Sequence, residues 1–125
     1  MTITALVVVR SFDNIEIFTQ DGGFAYIYQE EGKIFLKLFQ YRIREPITDL
    51  DKTIQDLSRP FKVYTDNFPL TTPAKFVIQS ALEWLHWGET EFHIRTITET
   101  DKTKTLQMIN RFLFANIIPE HVCLI

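Results

Sequence analysis

The first third of the chain alternates apolar and polar residues in short runs that turns separate. Residues 3–9 form a β-branched apolar run, and residues 14–19 alternate as a half-buried strand does. Asp21-Gly22-Gly23 supplies the positive φ angles of a tight hairpin, and Glu30-Glu31-Gly32 supplies the next turn. The pattern therefore predicts four successive antiparallel strands, at residues 3–9, 14–19, 24–29 and 33–44.

The apolar spacing changes after Pro46, which ends the fourth predicted strand. Thr48 and Thr100 stand where helix N-caps are wanted, each ahead of a run with helical periodicity. Leu106, Ile109 and Ile117 belong to the buried stripe expected of the last helix, together with Leu113. Helices are predicted at residues 48–57, 72–88 and 100–117. Further strands are predicted at residues 61–65, 91–98 and 121–125.

The second predicted helix is apolar around most of its circumference. Thr72 is placed to cap it, Pro73 occupies the first turn, and Gly88 stands where a left-handed residue ends a helix. We expect this helix to pack on more than one side, since its apolar positions are Phe76, Val77, Ile78, Ala81, Leu82, Trp84 and Leu85.

The order of elements predicts a fold of the α/β to α+β class. A four-strand antiparallel meander is followed by a βαβαβ-like half, a rhythm that favours parallel strands and right-handed crossovers. The simplest architecture is a single mixed sheet, antiparallel at one end and parallel at the other, flanked by three helices. A small barrel followed by a separate α/β lobe is the alternative. At 125 residues the chain has room for one core, so residues 1–125 are predicted to form a single domain.

Composition and charge restrict the partners and the location. The net charge of −3 argues against binding nucleic acid by bulk electrostatics. The single cysteine, Cys123, excludes an internal disulfide and suits a reducing compartment. The opening segment lacks a basic region, and no apolar run is long enough to span a bilayer. We therefore expect a cytoplasmic protein with no membrane association.

The most suggestive surface feature is a row of aromatic and basic residues on the fourth predicted strand. Rings interleaved with lysines are used by platforms for single-stranded nucleic acid, and Tyr and Phe also anchor protein interfaces. In a third interpretation, helices cover the rings as core, because the opposite face of the strand is equally apolar. With period two, the row contains Lys33, Phe35, Lys37, Phe39 and Tyr41, and the neighbouring strand offers Phe24, Tyr26 and Tyr28.

No local motif for catalysis or metal binding stands out. The three histidines, His86, His93 and His121, lack the spacing of a zinc-binding helix, and four glycines leave little for a phosphate loop. Asp21 followed by Glu31-Gly32-Lys33 faintly resembles the ligand set of a metal-dependent nuclease, although both acids fall in predicted turns. We predict no catalytic, cofactor-binding or metal-binding residue, and the balance leans away from an enzyme.

The sequence therefore predicts a non-catalytic protein-binding module of the inhibitor, immunity-protein or assembly-subunit kind. It would present either the aromatic sheet face or the acidic hairpins to a protein partner. Binding of single-stranded nucleic acid and a nuclease-like activity are the alternatives, and exposed strand edges also suggest a homo-oligomer. The acidic hairpin residues are Asp13, Glu16, Asp21, Glu30 and Glu31. The predicted partner-binding residues are Tyr26, Tyr28, Phe35, Lys37, Phe39, Tyr41 and Trp87.

Overall fold

The structure, a computed structural model, describes residues 2–11, 14–39, 41–57, 63–86 and 91–118. Within these ranges the chain forms six strands and three helices. The strands are β1 (Thr2–Ser11), β2 (Asn14–Thr19), β3 (Phe24–Glu30), β4 (Lys33–Phe39), β5 (Val63–Pro69) and β6 (Glu91–Thr98). The helices are α1 (Leu50–Leu57), α2 (Ala74–His86) and α3 (Lys102–Phe114). The predicted mixed fold with a four-strand meander is confirmed.

The described strands form one sheet in the order β5-β4-β3-β2-β1-β6. All neighbours from β5 to β1 are antiparallel, whereas β6 is parallel to β1. This is the predicted mixed sheet, antiparallel at one end and parallel at the other. Since β5 and β6 lie at opposite edges, the connection that contains α2 leads from one edge of the sheet to the other.

Helices cover both faces of the sheet. Ala5 and Val7 of β1 belong to a cluster with Val77 and Leu82 of α2, on one face. The intervening β1 residues belong to a second cluster that includes Leu50 and Leu57 of α1 and Ile109 and Phe112 of α3. Successive side chains of a strand point to opposite faces, so an uninterrupted apolar run is what a strand covered on both sides requires.

Strand β4 ends at Phe39, five residues before the predicted end. The chain then passes beside the β2–β3 turn, where the backbone N–H of Ile43 donates to the carbonyl of Gly22 at 2.9 Å. Gly22 has φ 90°, and a Cβ there would lie 2.8 Å from the carbonyl oxygen of Ile43. Only glycine allows this close approach, which directs residues 41–49 over the sheet and not along it.

The N-caps of two helices lie one residue later than predicted. Asp49, not Thr48, caps α1, because its carboxylate accepts from the backbone N–H of Lys52 at 3.2 Å. Asp101, not Thr100, caps α3 and accepts from the third backbone N–H of that helix at 2.9 Å. A carboxylate accepts the free N–H groups as well as a hydroxyl does, and its charge also favours the helix N-terminus.

The buried stripe of α2 is narrower than predicted, and that of α3 is shifted around the helix, since Leu106 and Leu113 are only partly buried. In α2, Val77, Ala81 and Leu82 are buried, whereas Phe76 and Trp84 are each 57% exposed, so one side packs and the opposite side faces solvent. The α3 stripe contains Thr105, Ile109 and Phe112 as its buried members. Ile117 follows the end of α3 and is exposed. Gly88, the predicted end of the second helix, and residues 121–125, the predicted last strand, lie outside the described residues.

Candidate functional site

Four of the predicted partner-binding residues come together on the sheet face that carries α1 and α3. The antiparallel register of β3 and β4 pairs Tyr26 with Lys37 and Tyr28 with Phe35. Because pairs alternate between faces, both pairs point to the same side. We refer to Tyr26, Tyr28, Phe35 and Lys37 as the aromatic strip.

The rings of the aromatic strip are stacked on one another. The Tyr26 and Tyr28 centroids are 5.2 Å apart with planes 19° from parallel, and those of Tyr28 and Phe35 are 5.4 Å apart at 17°. The Lys37 ammonium lies 5.3 Å from the centroid of the Tyr28 ring, within the range of a cation–π contact. The four side chains therefore support each other in one orientation.

The strip is half-exposed because α3 packs over other strands of this face. Helix α3 packs mainly over β1 and β2. All four strip residues have intermediate exposure, and Tyr28 and Phe35 belong to neither core cluster. The strip is thus a continuation of the core that emerges at the surface.

The other predicted partner-binding residues do not join this surface. Phe39 is 2% exposed and stacks on Phe24 at 4.7 Å, in the cluster that also contains Ile43, so it belongs to the core and cannot contact a partner directly. Tyr41 is half-buried against the same cluster and lies beyond the end of β4. Trp87 lies outside the described residues.

Short polar side chains border the strip on both sides. Asn14 of β2 is paired with Tyr28. Thr65 and Asn67 of β5 are paired with Lys37 and Phe35, and both are exposed. An aromatic centre with a polar rim is the usual anatomy of a protein-binding patch.

A buried carboxylate lies next to the strip on β2. Glu16 is paired with Tyr26 and its side chain is fully buried. Arg10 of β1 joins it at 3.1 Å through Nη1, and the same nitrogen lies 3.1 Å from an oxygen of Asp51 on α1. Arg10 therefore links two strands to a helix, and Lys102 of α3 extends the network to Asp51 at 3.8 Å.

Burial raises the pKa of Glu16 to about 7, although the hydrogen bond and charge of Arg10 act in the opposite direction. Only one of the two carboxylate oxygens is bound by Arg10, and Oε2 is buried with no hydrogen-bond partner among the residues that the structure describes. Burial, followed by the charge of Glu16, also raises the pKa of Tyr26. Glu16 therefore changes its charge near neutral pH, directly beside the strip.

Glu16 lies in the core and not, as the sequence predicts, in an exposed acidic hairpin patch. The alternation of residues 14–19 places Glu16 on the same face as Phe18, which was the available signal for an inward orientation. Asp13 lies outside the described residues. Glu30 and Glu31 are exposed at the β3–β4 turn, whereas Asp21 is at the other end of β3. The described acids form no single patch.

The Asp21 carboxylate is already bound within its own turn. Although burial acts to raise its pKa, the hydrogen bond from Thr19 and the charges of His86 and Arg42 together lower it. The ion pair to Arg42 and the 3.6 Å approach of His86 Nε2 hold the turn to the segment after β4 and to the end of α2. These contacts connect one end of the sheet to α2 and to the segment after β4.

The residues of the nuclease-like pattern are too far apart to share a metal ion. Asp21 and Glu31 flank opposite ends of the seven-residue strand β3, about 23 Å apart at roughly 3.3 Å per residue. Within the described residues, no group of three or more His, Cys, Asp or Glu side chains is arranged to hold a metal. His93 is exposed on β6, and His121 lies outside the described residues.

A cleft of about 350 Å³ opens between the first turns of α1 and α3, beside the Arg10 network. Its polar lining includes Arg10, Asp51 and Lys102, which are already paired with one another or with Glu16. The two helix N-termini at its wall are capped by Asp49 and Asp101. The groups that would attract an anion are therefore occupied by carboxylates of this chain.

None of the helices in the described part of the chain is long and apolar enough to cross a membrane. Comparison of the chain with protein families, with curated proteins and with solved structures found no match.

Proposed function

We propose that this chain is a non-catalytic protein-binding module and that its aromatic strip is the surface that docks a protein partner. The observation that carries the proposal is the stack of Tyr26, Tyr28 and Phe35 with Lys37, half-exposed on the sheet face that also carries α1 and α3. Large rings at the centre of a patch provide most of the energy of typical protein interfaces.

The strip is suited to binding because it loses little freedom when a partner docks. The rings already stack on one another, and each Tyr or Phe side chain has only two rotatable bonds to fix. Behind Tyr26, the buried Glu16 and its ion pair with Arg10 hold β2 in place. A rigid, partly desolvated surface of this kind favours a partner with a complementary apolar patch.

Charges near the strip indicate the chemistry of the partner. Glu30, Glu31 and Lys33 are exposed at the β3–β4 turn, next to the end of the strip that Tyr28 and Phe35 occupy, and together they leave one net negative charge there. The chain as a whole carries a net charge of −3. We therefore expect an apolar protein patch with basic residues at its border, where the charges steer association more than they determine affinity.

The proposal is tested by affinity capture from the lysate of the source cells, with and without nuclease, followed by mass spectrometry. The wild type is compared with the double variant Tyr28→Ala/Phe35→Ala and with Phe76→Ser, which alters an exposed ring on the opposite side of the sheet. We expect a protein that survives nuclease treatment, is retained by Phe76→Ser and is lost from the double variant. Retention by a folded double variant would contradict the proposal.

Binding of single-stranded nucleic acid is the second candidate, and one observation favours it. The Lys37 ammonium lies over Tyr28 within a stack of rings, so a base could stack where a phosphate meets the cation. This function predicts binding of a fluorescent oligonucleotide that weakens with salt and is lost in Lys37→Gln. Absence of binding at low salt would exclude it.

A further inference from the structure

Helix α2 exposes two large aromatic residues on its outer side, although the ring of Phe76 also makes an edge contact with Phe68 of β5, with ring centroids 6.2 Å apart. Phe76 and Trp84 are each 57% exposed, although Val77, Ala81 and Leu82 of the same helix are buried. Rings this exposed are uncommon on a surface with no interface role when they occur in one row. This row lies on the α2 side of the sheet and is therefore separate from the aromatic strip.

The outer side of α2 consists of two adjacent rows with four-residue spacing. Phe76, Ser80 and Trp84 form an aromatic row with a small residue at its centre. Lys75, Gln79 and Glu83 form a polar row, and all three are exposed. The polar row has opposite charges at its two ends, and the aromatic row has a different ring at each end. Both rows have a neutral polar residue midway.

The polar row is electrostatically complementary to a reversed copy of itself. Lys75 is near the start of α2 and Glu83 is near its end. When two such helices meet antiparallel, Lys75 of each faces Glu83 of the other, whereas a parallel arrangement sets like charges together. Among the described residues, neither side chain has an ion-pair partner within the chain, and Glu83 accepts only a 3.4 Å hydrogen bond from Gln79.

The same reversal matches the aromatic row. A two-fold axis near Ser80 brings Phe76 of one copy towards Trp84 of the other, on both sides of the axis. The short Ser80 side chain at the crossing lets the two helix backbones approach closely, as interdigitated four-residue ridges require. One two-fold axis thus pairs Lys75 with Glu83 and brings Phe76 towards Trp84.

We propose that the occupant of this surface is a second copy of the chain, bound through an antiparallel α2–α2 contact with reciprocal Lys75–Glu83 pairs. The helix has 13 residues, about 20 Å at 1.5 Å per residue, which limits the contact to two or three turns. Two half-exposed rings per copy give an area below that of a standard stable interface. The dimer is therefore weak, with dissociation in the micromolar range or above, and reversible.

Sedimentation equilibrium over a wide concentration range tests the proposal on the whole chain. The wild type is expected to show monomer and dimer in exchange. Lys75→Glu and Glu83→Lys should each weaken self-association, because each places like charges at both contacts. An equimolar mixture of the two variants restores both pairs as a heterodimer, and we expect it to associate about tenfold more tightly than either variant alone.

Phe76→Ser provides a second variant, with the thermal melt of each protein as the control for folding. It should abolish the dimer and leave the protein folded with a melting temperature lower by a few degrees, since the ring is 57% exposed but loses its edge contact with Phe68. A wild type that stays monomeric at millimolar concentration would overturn the proposal. So would a dimer that neither the charge variants nor Phe76→Ser affects. Both outcomes are independent of whether the aromatic strip binds another protein.

Discussion

Among single residues, Glu16 is the one in which burial and charge oppose each other most directly. Of the described acidic residues it alone is buried, and its pKa is raised to about 7 by that burial. Arg10 binds one carboxylate oxygen, and within the described part of the chain the other oxygen has no hydrogen-bond partner. A carboxylate under these conditions is held more favourably in its protonated form.

A dependence of stability on pH follows from the raised pKa. Between the ordinary value of 4.5 and about 7, the folded state binds a proton at Glu16 that the unfolded state lacks, so stability falls as the pH rises through this window. At 1.36 kcal/mol per unit the loss is about 3 kcal/mol. Glu16→Gln should flatten the profile, measured by urea unfolding from pH 4.5 to 8. Glu30→Gln, at an exposed position, is the matched control and should keep the wild-type slope.

The aromatic residues of β3 and β4 divide into core and surface, with separate consequences for stability. Phe39→Ala removes a ring that is 2% exposed and stacked on Phe24, and it should cost about 3–5 kcal/mol. Tyr28→Ala removes a half-exposed ring and should cost about 1–2 kcal/mol. Denaturant unfolding of the two variants checks this order. Equal losses would mean that Tyr28 is core and would contradict its role in binding.

The face on which each of these rings lies was predictable from the sequence, but its exposure was not. Period two along β3 and β4 is enough to place Tyr28, Phe35 and Phe39 on one side. Phe39 belongs to a buried cluster to which the segment after β4 contributes Ile43 and Ile47. The path of that segment depends on its contact with Gly22, more than twenty residues earlier in the chain, and no local pattern encodes such a contact.

At the scale of elements, one side chain connects α3 to the segment before α1. The Asn110 amide accepts from the backbone N–H of Ile47 and donates to the carbonyl of the same residue, both at 2.8 Å. This pair of bonds imitates strand pairing and satisfies a backbone that has no sheet neighbour. The segment is thereby fixed above Phe39 and the rest of the core on this face.

Asn110→Ala should therefore destabilise the protein by about 2–3 kcal/mol, because two hydrogen bonds are lost and the partly buried backbone groups of Ile47 remain unpaired. Hydrogen exchange should show faster exchange at the Ile47 amide than in the wild type. Gln107→Ala, an exposed substitution in the same helix, serves as the control and should leave both measurements unchanged. A neutral Asn110→Ala would show that this link is dispensable.

Element boundaries show where local signals are sufficient. The hairpins and the helix starts were predictable to within a residue or two, because turns and N-caps have strong local preferences. The end of β4 was not, since the apolar pattern continues through Tyr41 and Ile43 after the strand has ended. Those residues pack on the core from a loop, which satisfies their hydrophobicity without strand pairing.

At the scale of the whole molecule, the sheet separates two candidate binding surfaces. The aromatic strip lies on the face that carries α1 and α3, and the exposed row of α2 lies on the opposite side. The sequence predicted the strip residues but assigned Phe76 and Trp84 to the core, because an apolar helix gives no sign of which side meets the sheet. The two surfaces can therefore be disrupted independently.

The central claim is that the aromatic strip contacts a protein partner, and amide chemical-shift mapping tests it most directly. The captured partner is titrated into isotope-labelled chain, and perturbed amides are located on the structure. We predict that the largest changes fall at Tyr26, Tyr28, Phe35 and Lys37 and at their neighbours Thr65 and Asn67. Changes confined to α2, or to the sheet edges away from these residues, would contradict the claim.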